Sequence, residues 1–289
     1  MKFVIFGAKG QLGREFQKKF MAENIPFAAA DIDTCDIADP AAVSRLIGRE
    51  RPSVVINCAA YNLVDKAEDD PVSAFKVNAD AVRHMAAGCA SGHVKLIHYG
   101  SDYVFNGRKG ALYVETDATD PLNVYGQSKL AGEKNALAAS PRHLVLRTSW
   151  VIGPGEQNFL FKLRQWAAKS DTLKISGDEI SVPTFTATIV NCTLAAVKED
   201  LTGLYHLTNS GCASRIDLAR AFLDEAGIKG KELTPVPMAS FGLKAARPVF
   251  AAMSNDAITK ALGIDIPSWQ DALRGYVATY KMDMKEGGA

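Results

Sequence analysis

Phe3-Val4-Ile5-Phe6-Gly7-Ala8-Lys9-Gly10-Gln11-Leu12-Gly13 runs from four consecutive apolar residues into three glycines spaced three apart. A short unbroken apolar run ending at glycine is the pattern of a strand buried on both faces. Leu12, Phe16 and Phe20 then recur on one helical face, placing a helix over Gln11 to Ala22. Glycines between a strand and a helix let the backbone turn tightly and approach a pyrophosphate, which the free N–H groups of the helix start attract. Gly7, Gly10 and Gly13 therefore suit a dinucleotide site, and a plain tight turn is the alternative.

Outward from this stretch the same alternation continues. Phe27 to Ala30 reads as a second strand ending at Asp31, and Asp39-Pro40 starts a helix with a cap and a proline at its first position. Ser53 to Ile56 is a third strand, Pro71 opens a long helix to about Ala90, and Val94 to Tyr99 is a fourth strand. A loop leads from Gly100 to Leu122, Tyr125 to Ala138 is helical, and His143 to Arg147 is a fifth strand. Alternating strands and helices imply parallel pairing in a doubly wound sheet, whose ligands sit at the carboxyl ends of its strands. The expected fold is thus α/β, a Rossmann-type sheet with a smaller C-terminal lobe. Residues 1–150 form the cofactor domain, also receiving strands from about 172–208, and 151–289 form mainly the lobe. Helices are expected near 159–169, 214–226 and 268–280, and Gly287-Gly288-Ala289 reads as a frayed end.

An acid at the end of strand two bonds adenosine ribose hydroxyls, and Asp31 stands there with Asp33 close by. Acids favour NADH, whereas Lys9 and Arg14 beside the glycines suit the 2′-phosphate of NADPH, so both cofactors stay open. Of eight tyrosines, Tyr125 alone has lysine four residues on, and Lys129 therefore shares its helical face. A phenol ionises near ~10, and a neighbouring ammonium favours the phenolate. Tyr125 is expected to pass a proton to a carbonyl oxygen, with Lys129 tuning it and bonding the nicotinamide ribose. An exposed helical pair is the plain alternative. Ser101, closing the fourth strand, places a hydroxyl where it can bond the same oxygen. Trp150, just after the fifth strand, suits either a core role or stacking on a ligand. Arg247 suits a diphosphate or a surface ion pair.

The net charge is +1, so no global field recruits nucleic acid or an anionic membrane. Five cysteines without a close pair read as reduced thiols, and no ligand cluster suggests a structural metal. The short apolar start is no secretory segment, and no apolar run approaches the roughly 18 residues that span a bilayer. A cytoplasmic protein is expected.

Several passages resemble the dTDP-4-dehydrorhamnose reductase family of extended short-chain dehydrogenase/reductases. They are Gly7 to Gly13, Val55 to Tyr61 with Val64 to Glu68, Ser101 to Gly107, Pro121 to Glu133, Arg147 to Trp150, Val182 to Thr184, Gly203 to Leu207 and Ala246 to Pro248. The resemblance implies NADPH- or NADH-dependent reduction of the 4-keto group of a dTDP-linked 6-deoxyhexose, giving dTDP-L-rhamnose or a close relative, by a monomer or homodimer. It places Gly10, Gln11 and Leu12 at the pyrophosphate, and Asp31, Asp36 and Ile37 near the adenosine. Ala60, Tyr61 and Asn62 would border the cofactor. Ser101, Asp102 and Tyr103 would meet the sugar with Trp150 beside it, and Tyr125 and Lys129 would be the proton donor and its partner. The chain departs from the pattern at Gly100, where serine is usual, and at Asn62, where threonine is. It also departs at Ala187, where some members carry a glutamate said to bind magnesium at a dimer contact, and at Arg215, where an aromatic residue is common. No magnesium-linked dimer is expected. Two other readings remain: a non-catalytic nucleotide-binding subunit of the kind that partners methionine adenosyltransferase, and an epimerase or dehydratase of the same fold.

Overall fold

The computed structural model describes residues 1–286, and their side chains as far as Thr279; the end at 287–289 lies outside the described residues. In chain order, β1 (Phe3–Phe6), α1 (Gln11–Ala22), β2 (Phe27–Ala30), α2 (Pro40–Glu50) and β3 (Val54–Asn57) form the first βαβαβ unit. The helix α3 (Val64–Asp69) is followed by α4 (Pro71–Phe75), a π turn (Lys76–Asp80) and α5 (Ala81–Ser91). Next come β4 (Lys95–Ser101), α6 (Val124–Ala139), β5 (Leu144–Thr148), β6 (Val151–Ile152), α7 (Phe159–Lys169), β7 (Thr172–Ser176), β8 (Ile180–Ser181), β9 (Thr184–Phe185) and α8 (Thr186–Lys198). The chain continues through β10 (Gly203–His206), β11 (Ala213–Ser214), α9 (Arg215–Ala226), β12 (Glu232–Val236), α10 (Asp256–Leu262) and α11 (Trp269–Glu286).

The central sheet has six strands in the order β10-β5-β4-β3-β1-β2, every pair parallel. Both faces are covered. Ile5, Ile56, Ile97 and Leu146 point into one layer with Phe16 and Phe20 of α1 and Ile189 of α8. Val4, Val55, Leu96 and Val145 point into the other with Val43, Val82 and Met85 of α2 and α5. Alternate residues of one strand thus feed opposite cores, which is why its sequence is apolar throughout rather than alternating.

Of the two later segments expected near this sheet, 203–206 joins it beside β5, whereas 172–176 pairs with Glu232–Val236 in a separate two-stranded sheet. An apolar run shows that a strand is buried, not which partner it takes. The C-terminal core gathers Leu160 and Leu163 of α7, Ile175, Phe222 of α9, and Trp269 and Leu273 of α11. Pro71 does open a helix, but the expected single helix to Ala90 is broken by the π turn. A π turn holds one extra residue, which widens the helix and redirects a side chain. Here that side chain belongs to Asn78.

Candidate active site

The carboxyl ends of β4 and β5 and the first turns of α6 converge on one centre. Asn123 caps α6, its side chain accepting from Gly126 N at 2.7 Å, and Glu68 accepts from Val124 N at 2.8 Å. These contacts satisfy donors that a helix start leaves open. They also fix the turn that carries Tyr125. Gly126 is required there, because a Cβ would stand 2.3 Å from the Tyr103 carbonyl oxygen.

Tyr125 meets the Ser101 hydroxyl, and its ring lies edge-on to Tyr103 at 5.5 Å between centroids. Burial pushes the phenol up to about 12, with the Ser101 hydrogen bond pulling the other way. The structure therefore corrects the expectation of a depressed phenol: burial outweighs any favouring of the phenolate, and the proton is held at neutral pH. Lys129 donates from Nζ to the Tyr99 carbonyl oxygen at 2.6 Å, and burial lowers it to about 8, opposed by the Glu133 charge.

Asp102 is buried. It accepts from Ser181 Oγ at 2.7 Å and from Ser101 Oγ at 3.2 Å. Burial raises it to about 7 despite both hydroxyls. Trp150 follows β5 in the left-handed region at φ 37°, and the Arg215 guanidinium stacks 3.5 Å over its ring. Arg215 in turn pairs with the buried Glu179 at 3.0 Å. The departure at position 215 thus places a cation over the face of Trp150. Arg247 is held bidentately by Asp65, at 3.1 and 2.7 Å, so the surface ion pair is the contact present.

The glycine loop has the shape a dinucleotide needs. Gly7 is at φ 75°, and a Cβ there would stand 2.5 Å from Ala59 N; one at Gly13 would stand 2.2 Å from the Gly7 carbonyl oxygen. No side chain caps α1 and its first turn holds no acid, so the N–H groups of Gln11 and Leu12 stay open to an anion. The Gln11 side chain instead accepts from Gly153 N at 2.9 Å and Asn158 Nδ2 at 3.1 Å. Asp31 closes β2 and accepts from Lys9 N at 2.7 Å, while Lys9 Nζ pairs with Asp33 at 2.6 Å. Asp36 and the buried Ile37 follow, with Asp36 accepting from Ala38 N at 2.9 Å. Arg14 extends toward Gly155. The close backbone approach at Gly7 and Gly13 and the uncapped start of α1 suit a dinucleotide diphosphate.

The loop carrying Ala60, Tyr61 and Asn62 is tied by a residue that sequence reading missed. Asn78, in the π turn, accepts from Tyr61 N at 2.8 Å, donates to Tyr61 O at 3.0 Å and donates to Ser128 Oγ at 3.0 Å. One side chain links the 60–62 loop to α6.

A cavity of about 650 Å³ lies elsewhere, behind α1, lined by Glu15, Phe161, Ala187, Asn191 and Tyr276 among others. Glu15 there accepts from Thr186 Oγ1 at 3.2 Å. Among the described residues no group of three or more His, Cys, Asp or Glu stands together as a metal site, and no helix is long and apolar enough to cross a membrane.

Residues 1–282 match the family model described as the RmlD substrate binding domain. The dTDP-4-dehydrorhamnose reductase of Escherichia coli K12 is 34% identical over 283 residues, covering 93% of this chain and 95% of its own. This chain belongs to the dTDP-4-dehydrorhamnose reductase family. The family enzyme of Mycobacterium tuberculosis CDC 1551 is 37% identical over 278 residues, 94% of this chain and 91% of its own. Among solved structures, the family member from Clostridium acetobutylicum superposes at TM-score 0.93 with 32% identity, covering 97% of this chain and all of its own. The Bacillus anthracis reductase in complex with NADP superposes at 0.92 with 29% identity, over 96% and 99%. A Thermus thermophilus UDP-glucose 4-epimerase, at 21% identity and TM-score 0.81, shares the fold alone. The family's PLNVYG stretch, Pro121 to Gly126, is here the capped turn that presents Tyr125, and its RTSW stretch ends β5 at the Arg215-covered Trp150.

Proposed function

We propose that the chain reduces the 4-keto group of a dTDP-4-dehydro-6-deoxy-L-hexose, dTDP-4-dehydro-L-rhamnose being the substrate and dTDP-L-rhamnose the product. The observation that carries the reading is a half-buried Tyr125, its phenol held above its usual range, facing Ser101 at the ligand end of a parallel sheet, in a family of this activity. NADPH or NADH, when bound, supplies the hydride that reaches the sugar carbon. Gly7, Gly10, Gln11, Leu12 and Gly13 would hold its diphosphate; Asp31, Asp36 and Ile37 would flank the adenosine; Ala60, Tyr61 and Asn62 would border the rest.

The residues of this chain then divide the work. Ser101 donates to the keto oxygen and orients it. Tyr125 gives that oxygen the phenolic proton, which burial keeps in place at neutral pH. The charge left on the phenol is met by Lys129, whose side chain is fixed by the Tyr99 carbonyl. Asp102, Tyr103 and Trp150 form the sugar side. Arg247 acts from the rim through Asp65. The enzyme is read as cytoplasmic, and as a monomer or homodimer.

The test is oxidation of NADPH and of NADH, followed by absorbance with dTDP-4-dehydro-L-rhamnose. Turnover is expected in the native chain and near-complete loss in Tyr125→Phe with cofactor affinity retained. Cofactor binding without turnover in the native chain points instead to a regulatory subunit, and near-normal turnover in the variant rejects the assignment of Tyr125.

A further inference from the structure

Glu133 is 1% exposed, two turns along α6 from Tyr125 and one from Lys129, so the three share a helical face. Its Oε2 receives both Nε and Nη2 of Arg147 at 3.0 Å, and Arg147 on β5 is itself 4% exposed. Its Oε1 makes no well-aligned hydrogen bond; burial raises the Glu133 carboxyl above its usual range, while Arg147, Lys129 and the Ser101 backbone N–H favour its charged form. Oε1 lies over Gly100, where a Cβ would stand 2.2 Å away. Gly100 is the residue between Tyr99, whose carbonyl holds Lys129, and Ser101, which meets Tyr125. A side chain at 100 would evict the carboxylate; glycine admits it and offers it no hydroxyl.

We propose that Glu133 is a positioning residue for the reduction: its carboxylate, anchored on Arg147 and seated over Gly100, holds the Lys129 ammonium charged and in place beside Tyr125. The proposal deepens the reductase reading and rests on it. A buried carboxylate is costly. A purely structural tie between α6 and β5 would be served as well by an apolar pair. A charge at this point acts instead on the neighbouring cation, whose own burial disfavours its charged form.

Among the groups around it, Lys129 is the cation that Glu133 stabilises. On α6, Tyr125 also answers to Glu133, whose charge adds to burial and Asp102 in raising the phenol. From β4, His98 is held neutral, first by burial and then by Lys129. His206 on β10 lies 3.4 Å from Arg147 Nη1 and is held neutral down to about 3, burial being the first cause and Arg147 the second. Burial and Glu133 pull Lys129 in opposite directions, with the balance at about 8.

Glu133→Gln removes the charge and keeps an oxygen for Arg147. The double variant Glu133→Leu/Arg147→Leu removes both charges and leaves no buried ion unpaired, a replacement that folded proteins tolerate. In both, the Lys129 ammonium should be lost at lower pH. The alkaline limb of the kcat/KM profile should move down by about one pH unit or more, with cofactor affinity retained. The same shift should appear without turnover in 13Cε-lysine NMR, the signal being identified with Lys129→Met. An unshifted Lys129 titration in the folded double variant overturns the proposal. A shifted titration in a chain that never turns over upholds the electrostatic role and places the failure in the reductase reading.

Discussion

Asp102 is an acid whose environment departs far from its ordinary chemistry, within a pH range where stability can be measured. Burial lifts it from 3.8 to about 7 although two serine hydroxyls oppose the change. Between those values the folded chain binds a proton that the unfolded chain has released, so stability falls as pH rises through this window. The full effect, reached above pH 7, is on the order of 4 kcal/mol. Asp102→Asn removes the titration. Urea midpoints should show the native chain losing stability relative to the variant from pH 4 to pH 8, and parallel curves would refute the assignment. Lys9 poses a different test at the same scale. Its ammonium spans the loop to Asp33, next to Asp31. Of the two cations that flank the glycine loop, Lys9 lies on the Asp31 side, whereas Arg14 reaches toward Gly155. Lys9→Ala should lower kcat/KM with NADPH by about tenfold, one charge-assisted contact, and leave NADH nearly unchanged. Equal losses with both cofactors would show that Lys9 only shapes the loop. The YxxxK pair and Ser101 were legible because their chemistry fixes their spacing. Glu133 was legible as a motif letter only, since its meaning lies in the glycine opposite it on another element.

At the scale of elements, α6 is the part on which the site depends, and its fit is set by glycines. Gly132 faces the π turn, where a Cβ would stand 2.0 Å from the Asn78 carbonyl oxygen, a backbone atom that cannot swing aside. Gly132→Ala should separate α6 from that turn, breaking the Asn78–Ser128 bond and carrying Lys129 away from Tyr99. Overpacking of this kind costs about 3 kcal/mol. The urea midpoint should fall accordingly, with kcat falling beyond what lost folded protein explains. The strands of the first half could be read from sequence because parallel strands buried on both faces must be apolar throughout, as Phe3–Phe6 and Val54–Asn57 are. The π turn could not, since 76–80 carries no helix breaker and the extra residue is favoured by what Asn78 finds across the loop. Nor could the partner of Thr172–Ser176, because strand pairing outside a βαβ unit depends on which distant edge is free.

At the scale of the whole molecule, residues 244–254 lace the C-terminal half onto the catalytic half. Ala245 N and the Arg247 guanidinium both reach Asp65, and Lys244 pairs with Asp69. The Ala246 carbonyl accepts from the α6 cap Asn123 at 2.6 Å. Further on, Ile180 N donates to Val249 O and Ala251 N to Ile180 O, next to the Ser181 that holds Asp102. One strap therefore touches the Tyr125 turn at one end and the Asp102 network at the other. Arg247 is the hinge of competing accounts, as a diphosphate ligand or as the anchor of this strap. Its geometry favours the anchor, since Asp65 takes both terminal nitrogens and the Asp65 carboxyl is held below its usual range chiefly by that hydrogen bond. With Asp65 partly exposed, the pair itself contributes about 1 kcal/mol or less, so its loss should loosen the strap without unfolding the chain. Arg247→Met and Asp65→Asn should then raise KM for the sugar nucleotide by similar factors, leave cofactor affinity intact, and expose the 238–247 segment to protease. The double variant should be no worse than either single one, because the strap is released once. A diphosphate ligand behaves otherwise: Arg247→Met would raise KM steeply, Asp65→Asn would leave it unchanged or improve it by freeing the guanidinium, and Arg247→Lys would restore much of the loss.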